Sequence, residues 1–161
     1  MALDDTLRIE SLSVRPLSAD DAPRWRELWN GYLEFYGCTL PAEVTEHTWR
    51  RLIDPNDQPH GLVAVGADDQ VLGFVIYHFH LSTWAPGGYC YLEDLFVDPT
   101  ARGKGAGYAL VEAVYRAAAS QGAERVYWVT QADNATARSL YDRVAEVTSF
   151  VQYRWTPRSP T

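Results

Sequence analysis

The order of apolar periodicities along the 161 residues predicts one α/β domain built on a mixed, mostly antiparallel sheet. Three observations carry that expectation. Strand-like alternation and helical i, i+3, i+4 spacing interchange along the chain in the order β-α-α-β-β-β-α-β-α-β. The run Tyr91 to Gly107, YLEDLFVDPTARGKGAG, reads as an apolar strand, a turn at Asp98-Pro99 and a glycine-rich entry into a helix. Strand 89–97, that helix and strand 125–130 then form a βαβ unit, so those two strands should be parallel and joined by a right-handed crossover.

From the N-terminus, Thr6 to Leu17 alternates through Leu7, Ile9, Leu12 and Val14 with one shift of phase, a first strand with a possible bulge. Ser18-Ala-Asp-Asp is a helix-start signal in which Asp20 and Asp21 suit a helix N-terminus, and Trp25, Leu28, Trp29, Tyr32, Leu33 and Tyr36 follow at helical spacing. That aromatic stripe is expected in the core, and Gly37 ends the helix. Pro41 to Ile53 repeats the helical pattern until Asp54-Pro-Asn-Asp-Gln-Pro stops it. The apolar runs 62–65 and 71–81, divided by Gly66-Ala-Asp-Asp-Gln, are a hairpin, and 89–97 adds a third consecutive antiparallel strand. Helices are expected over 105–121 and 134–144, and a last strand over 148–155. The core should span about residues 7–155 within a single domain, 1–161, with no internal repeat.

Composition narrows the partners. Hydrophobic residues make up 47% and charged residues 22%, an ordinary globular balance enriched in Trp (six) and Tyr (ten). A net charge of −7 disfavours nucleic acid and favours a cationic small molecule. The two cysteines form no CxxC pair, and Cys90 lies inside a strand pattern, which fits a reducing cytoplasm. No basic-then-apolar leader or membrane-length apolar run is present, so a cytoplasmic protein without membrane partners is expected. His78 and His80 share a strand face but lack further ligands at metal-site spacing, so no metal is expected. Arg24, Arg26, Arg50 and Arg51 read as solvated faces.

Arg102-Gly-Lys-Gly-Ala-Gly107 has glycines at alternate positions between a strand and a helix. Without Cβ atoms the backbone N–H groups can approach an anion, and the helix start adds unpaired donors and its positive dipole end. Ligands of such sheets sit beyond strand C-termini, where this turn falls. A dinucleotide fingerprint fails at Tyr108, and a Walker loop fails because Gly105 follows Lys104. A pyrophosphate cradle of another kind remains.

The run YLEDLFVDPTARGKGAG resembles the acetyl-CoA motif of the GNAT superfamily of N-acetyltransferases: Arg or Gln, two residues, Gly, one residue, then Gly or Ala. Arg102, Gly105 and Gly107 match it. Asn134-Ala-Thr-Ala-Arg-Ser-Leu-Tyr141 is similar to the family segment that joins a cofactor-contacting Asn to a Tyr near the thiol sulfur. Ser82-Thr-Trp84 with Tyr91 to Val97 most resembles the diamine, polyamine and thialysine acetyltransferases and small histone-tail acetylating proteins. The chain departs from the family after Tyr141, where Arg143-Val-Ala-Glu-Val stands in place of the common Gly-Phe pair.

The resemblance implies a single-domain GNAT fold, acetyl-CoA as acetyl donor, and an amine acceptor. It assigns Phe96, Val97, Arg102, Gly103, Lys104, Gly105, Ala106, Gly107, Asn134 and Tyr141 to the cofactor. An alkylammonium has no lone pair until it loses a proton. The resemblance favours Glu93 as the base that removes it, through water, with Asp94 as the alternative or as an anchor for a second ammonium. Strand alternation allows only one of these adjacent acids to face a given pocket. Tyr141 would protonate the departing thiolate, and a backbone N–H near Phe96 or Val97 would stabilise the carbonyl oxygen. The expected acceptor is a small polycationic or lysine-like primary amine, attacked directly in a ternary complex. A protein or peptide acceptor and a catalytically silent acyl-CoA sensor are the alternatives. The family implies a homodimer, with Ser149 to Trp155 as a possible pairing edge.

Overall fold

A computed structural model of the chain describes residues 12–157. The expected strand segment over Thr6 to Ser11 lies outside the described residues. The described chain falls into two units, one running to Val129 and one starting at Thr130.

In the first unit five strands lie in the spatial order β1-β2-β3-β4-β5. They are β1 (Ser13–Pro16), β2 (His60–Val65), β3 (Val71–His80), β4 (Tyr89–Val97) and β5 (Val126–Tyr127). The first four pair antiparallel, while β4 and β5 pair parallel across α3 (Ala106–Ser120), the predicted βαβ unit. Strand β5 is shorter than the predicted 125–130.

Between β1 and β2 run α1 (Ala22–Phe35) and α2 (Ala42–Leu52). The start of α1 is braced by Asp21, a buried carboxylate that accepts Ser18 N at 2.8 Å and takes both ends of the Arg15 guanidinium at 2.8 and 2.9 Å. The Arg15 hydrogen bonds and charge hold this acid below the usual carboxylate range. Trp25 and Trp29 of α1 stack at 5.2 Å, Trp49 of α2 meets Trp25 at 5.0 Å, and all three pack with Leu52, Val63, Phe74, Ile76 and Phe96. Such aromatic pairs add about 0.5–1.5 kcal/mol each beyond area burial. Strand alternation sends Val75 to the opposite face, the side taken by α3 with its buried Leu110, Val111 and Val114. The sheet is therefore covered by α1 and α2 on one face and α3 on the other.

Three of the four arginines predicted to be solvated pair with acids, two of them over long sequence separations. Arg26 reaches Glu46 at 2.6 Å, Arg51 reaches Asp57 at 3.1 Å, and Arg24 reaches Asp98 at 2.7 Å. A helical face reading assigns a side chain to solvent but cannot see a partner 20 or 74 positions away.

The second unit contains α4 (Ala135–Val144). Asn134 caps it, accepting Ala137 N at 3.3 Å and donating to Thr130 Oγ1 at 3.4 Å, and Arg138 ties back to Ala132 O at 2.6 Å. The expected last strand over 148–155 is not formed: among the described residues 145–157 none belongs to a strand. Phe150, Tyr153 and Trp155 are strongly exposed instead. The segment has the composition of a strand, but a strand exists only through its ladder, and no described segment supplies the partner.

Candidate active site

The adjacent acids sit at an irregularity in the β3/β4 ladder. Ile76 opposes Asp94 and Tyr77 opposes Leu92, so Glu93 is an extra residue without a cross-strand partner. Such a bulge breaks the strict alternation of side chains. Both Glu93 and Asp94 consequently line the same pocket, which corrects the expectation that only one could. The pocket measures about 550 Å³, within the usual small-molecule range of about 300–1,000 Å³, and its walls also include Trp29, Thr48, Arg51 and His78.

The two carboxylates have different surroundings. Asp94 is half-buried and accepts a 2.6 Å hydrogen bond from the Tyr32 hydroxyl. Burial pushes its carboxyl up to about 6; the Tyr32 hydrogen bond opposes that shift and the Glu93 charge adds to it. Burial and the Asp94 charge in turn drive the Tyr32 phenol well above its ordinary value, so Tyr32 stays a donor. Glu93 is exposed, with His78 Nε2 at 3.3 Å from Oε2. Beyond it on the same sheet, His80 Nδ1 lies 2.8 Å from Leu81 O, so Nε2 is the nitrogen that accepts the Tyr127 hydroxyl at 2.7 Å.

Tyr32 was not assigned a site role by the sequence, which places it in the core stripe with Trp25, Trp29 and Tyr36. The stripe divides: Trp25 and Trp29 are core, whereas Tyr32 turns its polar tip to Asp94. The usable signal was its hydroxyl, since a buried phenol seeks a partner. Cys90 is fully buried and burial raises its thiol to about 11, so it offers no thiolate nucleophile at neutral pH.

The glycine turn follows β4 directly. Asp98 starts a 3-10 turn over Pro99–Ala101, accepting Thr100 N at 2.8 Å and Thr100 Oγ1 at 2.7 Å, and Arg24 clamps it from α1 while donating also to Val71 O. Arg24, then Thr100, hold the Asp98 carboxyl down at about 2, so the clamp is fully ionised at neutral pH. Arg102 donates to Val97 O at 3.2 Å with its guanidinium 5.6 Å from the Phe96 ring centroid. Gly103 and Gly105 adopt φ of 80° and 86°, and no atom lies within 4 Å of where a Cβ would stand on either. Their requirement is therefore conformational, at about 1–2 kcal/mol for another residue. Gly105 caps α3, whose first described backbone bond runs from Ala109 N to Gly105 O. The N–H groups of Ala106, Gly107 and Tyr108 precede that bond and have no intrahelical acceptor, the donor set an anion needs. Lys104 is exposed beside it.

Between these two regions the pairing of β4 with β5 stops. Its ladder with β5 ends at Tyr91/Tyr127, although β4 continues to Val97. Main-chain groups of Leu92 to Val97 on that edge face no described β5 residue. A helix start with unpaired donors, a strand edge and a pocket lined by two acids are thus arranged along β4.

Residues 23–145 match the acetyltransferase (GNAT) family, and the chain belongs to it. The chain is 36% identical over 146 residues to the D-amino-acid N-acetyltransferase HPA3 of Saccharomyces cerevisiae, covering 90% of this chain and 91% of that one. It is 29% identical over 136 residues to the thialysine N-epsilon-acetyltransferase of Caenorhabditis elegans, covering 84% and 83%. Among solved structures, the aminoglycoside N-acetyltransferase AAC(6')-Iy in complex with CoA superposes with a TM-score of 0.76 at 19% identity, over 90% of this chain and 94% of that one. The fold is thus the single GNAT α/β domain, and the protein is an acetyl-CoA-dependent N-acetyltransferase. No helix among the described residues is long and apolar enough to cross a membrane.

Proposed function

We propose that residues 1–161 act as one N-acetyltransferase domain that moves the acetyl group of acetyl-CoA to a small, lysine-like primary amine by direct attack in a ternary complex. The observation that carries this reading is the bulge at Glu93, which turns two carboxylates into one small-molecule pocket. The names of the relatives, which act on D-amino acids and on thialysine, support an acceptor of that size.

When bound, acetyl-CoA supplies a thioester carbonyl carbon that accepts the amine nitrogen; a C–N bond forms, the C–S bond breaks, and CoA leaves as a thiol. Asp94, oriented by Tyr32 and with a carboxyl at about 6, takes the proton from the ammonium. Exposed Glu93 attracts the ammonium and, with His78, passes the proton to solvent. Tyr141 donates the proton that the departing thiolate needs. A backbone N–H of Phe96 or Val97, on β4 beyond its pairing with β5, holds the carbonyl oxygen. Arg102, Gly103, Lys104, Gly105, Ala106 and Gly107 hold the pyrophosphate, and Asn134 joins them as a cofactor residue besides capping α4.

Gly105→Ala is expected to weaken acetyl-CoA several-fold, because relieving the φ of 86° re-aims the helix-start donors. A calorimetric titration checks it; unaltered affinity would remove the turn from the cradle. The protein is further proposed to be cytoplasmic and homodimeric, with the exposed aromatic segment 149–155 at the subunit contact.

Thiol release from acetyl-CoA, followed over diamines, polyamines, thialysine, lysine and a basic peptide, tests the reading. Release with the small amines is expected. Release with the peptide alone would move the acceptor to protein lysines. Acetyl-CoA protection in a melt without release would make the chain a sensor.

A further inference from the structure

The acceptor pocket carries opposite charges on opposite elements. Glu93 and Asp94 come from β4, whereas Thr48 and Arg51 come from α2, where their i, i+3 spacing puts them on one helix face. The Arg51 guanidinium is held rather than loose. Its Nε and Nη2 donate to Asp57 Oδ2 and Oδ1 at 3.1 Å each, which leaves Nη1 without a hydrogen-bond partner among the described residues. Asp57 is itself fixed by Gln58 N at 2.7 Å, and the Gln58 side chain is locked to β3 through Phe79 N at 2.6 Å and Phe79 O at 3.4 Å. A guanidinium restrained in this way loses little freedom when it takes an anion.

A purely polycationic acceptor makes no use of this wall. A zwitterion uses both ends. We infer that Thr48 and Arg51 form a carboxylate subsite and that the acceptor is an amino acid, with its reacting ammonium at Glu93 and Asp94 and its carboxylate at Arg51 Nη1 and Thr48 Oγ1. The inference rests on the proposed amine acetylation. It goes further by choosing the amino acid over the diamine and by assigning Arg51 and Thr48 as the residues that make the choice.

The test compares acceptors that differ only in the carboxylate: lysine, lysinamide and cadaverine, then phenylalanine, phenylalaninamide and phenethylamine. Values of kcat/KM are measured at saturating acetyl-CoA. The parent is expected to prefer at least one amino acid over its amide and amine by about tenfold or more, the scale of one charge-assisted hydrogen bond. Arg51→Gln should collapse that ratio through KM. Thr48→Val, which leaves the Arg51–Asp57 pair in place, should lower it a few-fold, and this variant decides the matter if Arg51→Gln fails to fold. A parent that prefers the amides or amines, or a ratio that survives both substitutions, would overturn the subsite while leaving amine acetylation intact. No transfer to any of the six, with acetyl-CoA still protecting the protein in a melt, would overturn the acetylation reading and the subsite with it.

Discussion

Asp94→Asn is expected to lower kcat/KM by about two to three orders of magnitude, the range of a lost general base, while making the protein more stable at neutral pH. The two effects share one cause. Burial raises the Asp94 carboxyl from its ordinary 3.8 to about 6, so the folded protein holds this proton more tightly than the unfolded chain. For an acid shifted upward, stability is highest below the unfolded value and is lost as pH rises from about 4 to about 6; at pH 7 the charged, desolvated form is a liability. Asn keeps an acceptor for the Tyr32 hydroxyl and removes the charge, a gain of about 1–3 kcal/mol. Thermal melts of parent and variant at pH 4 and pH 7 check it. The difference should be large at pH 7 and small at pH 4. Equal melting at both would mean that the carboxylate is not desolvated. Glu93→Gln, exposed and beside His78, should cost about tenfold, mostly in KM; if it instead shows the larger loss in kcat/KM, the roles of the two acids are exchanged.

Tyr141→Phe is expected to lower kcat by about two orders of magnitude with acetyl-CoA affinity nearly intact, because it removes one hydroxyl proton and almost no surface. The effect should shrink with a thioester whose leaving thiol is more acidic, since a better leaving group needs less protonation. Single-turnover rates with the two donors separate this from slow product release. An unchanged kcat would take Tyr141 out of the chemistry.

The parts of this site that were legible in the sequence are those fixed by local chemistry. Strand 89–97 has its predicted limits because its apolar run is bounded by a glycine-rich loop and by Asp98-Pro99. The turn was readable because Gly103 and Gly105 occupy positive φ, which leaves a compositional trace. The bulge left none. Whether Glu93 is an extra residue depends on which β3 residue opposes it, so period-two reasoning put the two acids on different faces. The Tyr32–Asp94 and Arg24–Asp98 pairs join residues 62 and 74 positions apart, beyond the reach of any window of sequence. Segment 148–155 shows the converse: strand composition was present, but a ladder needs a second strand that composition does not provide.

Direct acetyl transfer to a small amine leaves the protein itself unmodified throughout. The most direct measurement mixes the protein with acetyl-CoA and lysine at comparable concentrations, quenches the mixture, and weighs protein and small molecules together by mass spectrometry. N-acetyl-lysine equal in amount to the CoA thiol released, with the protein mass unaltered, is the predicted result. An acetylated protein mass, or thiol without the N-acetyl product, would contradict it.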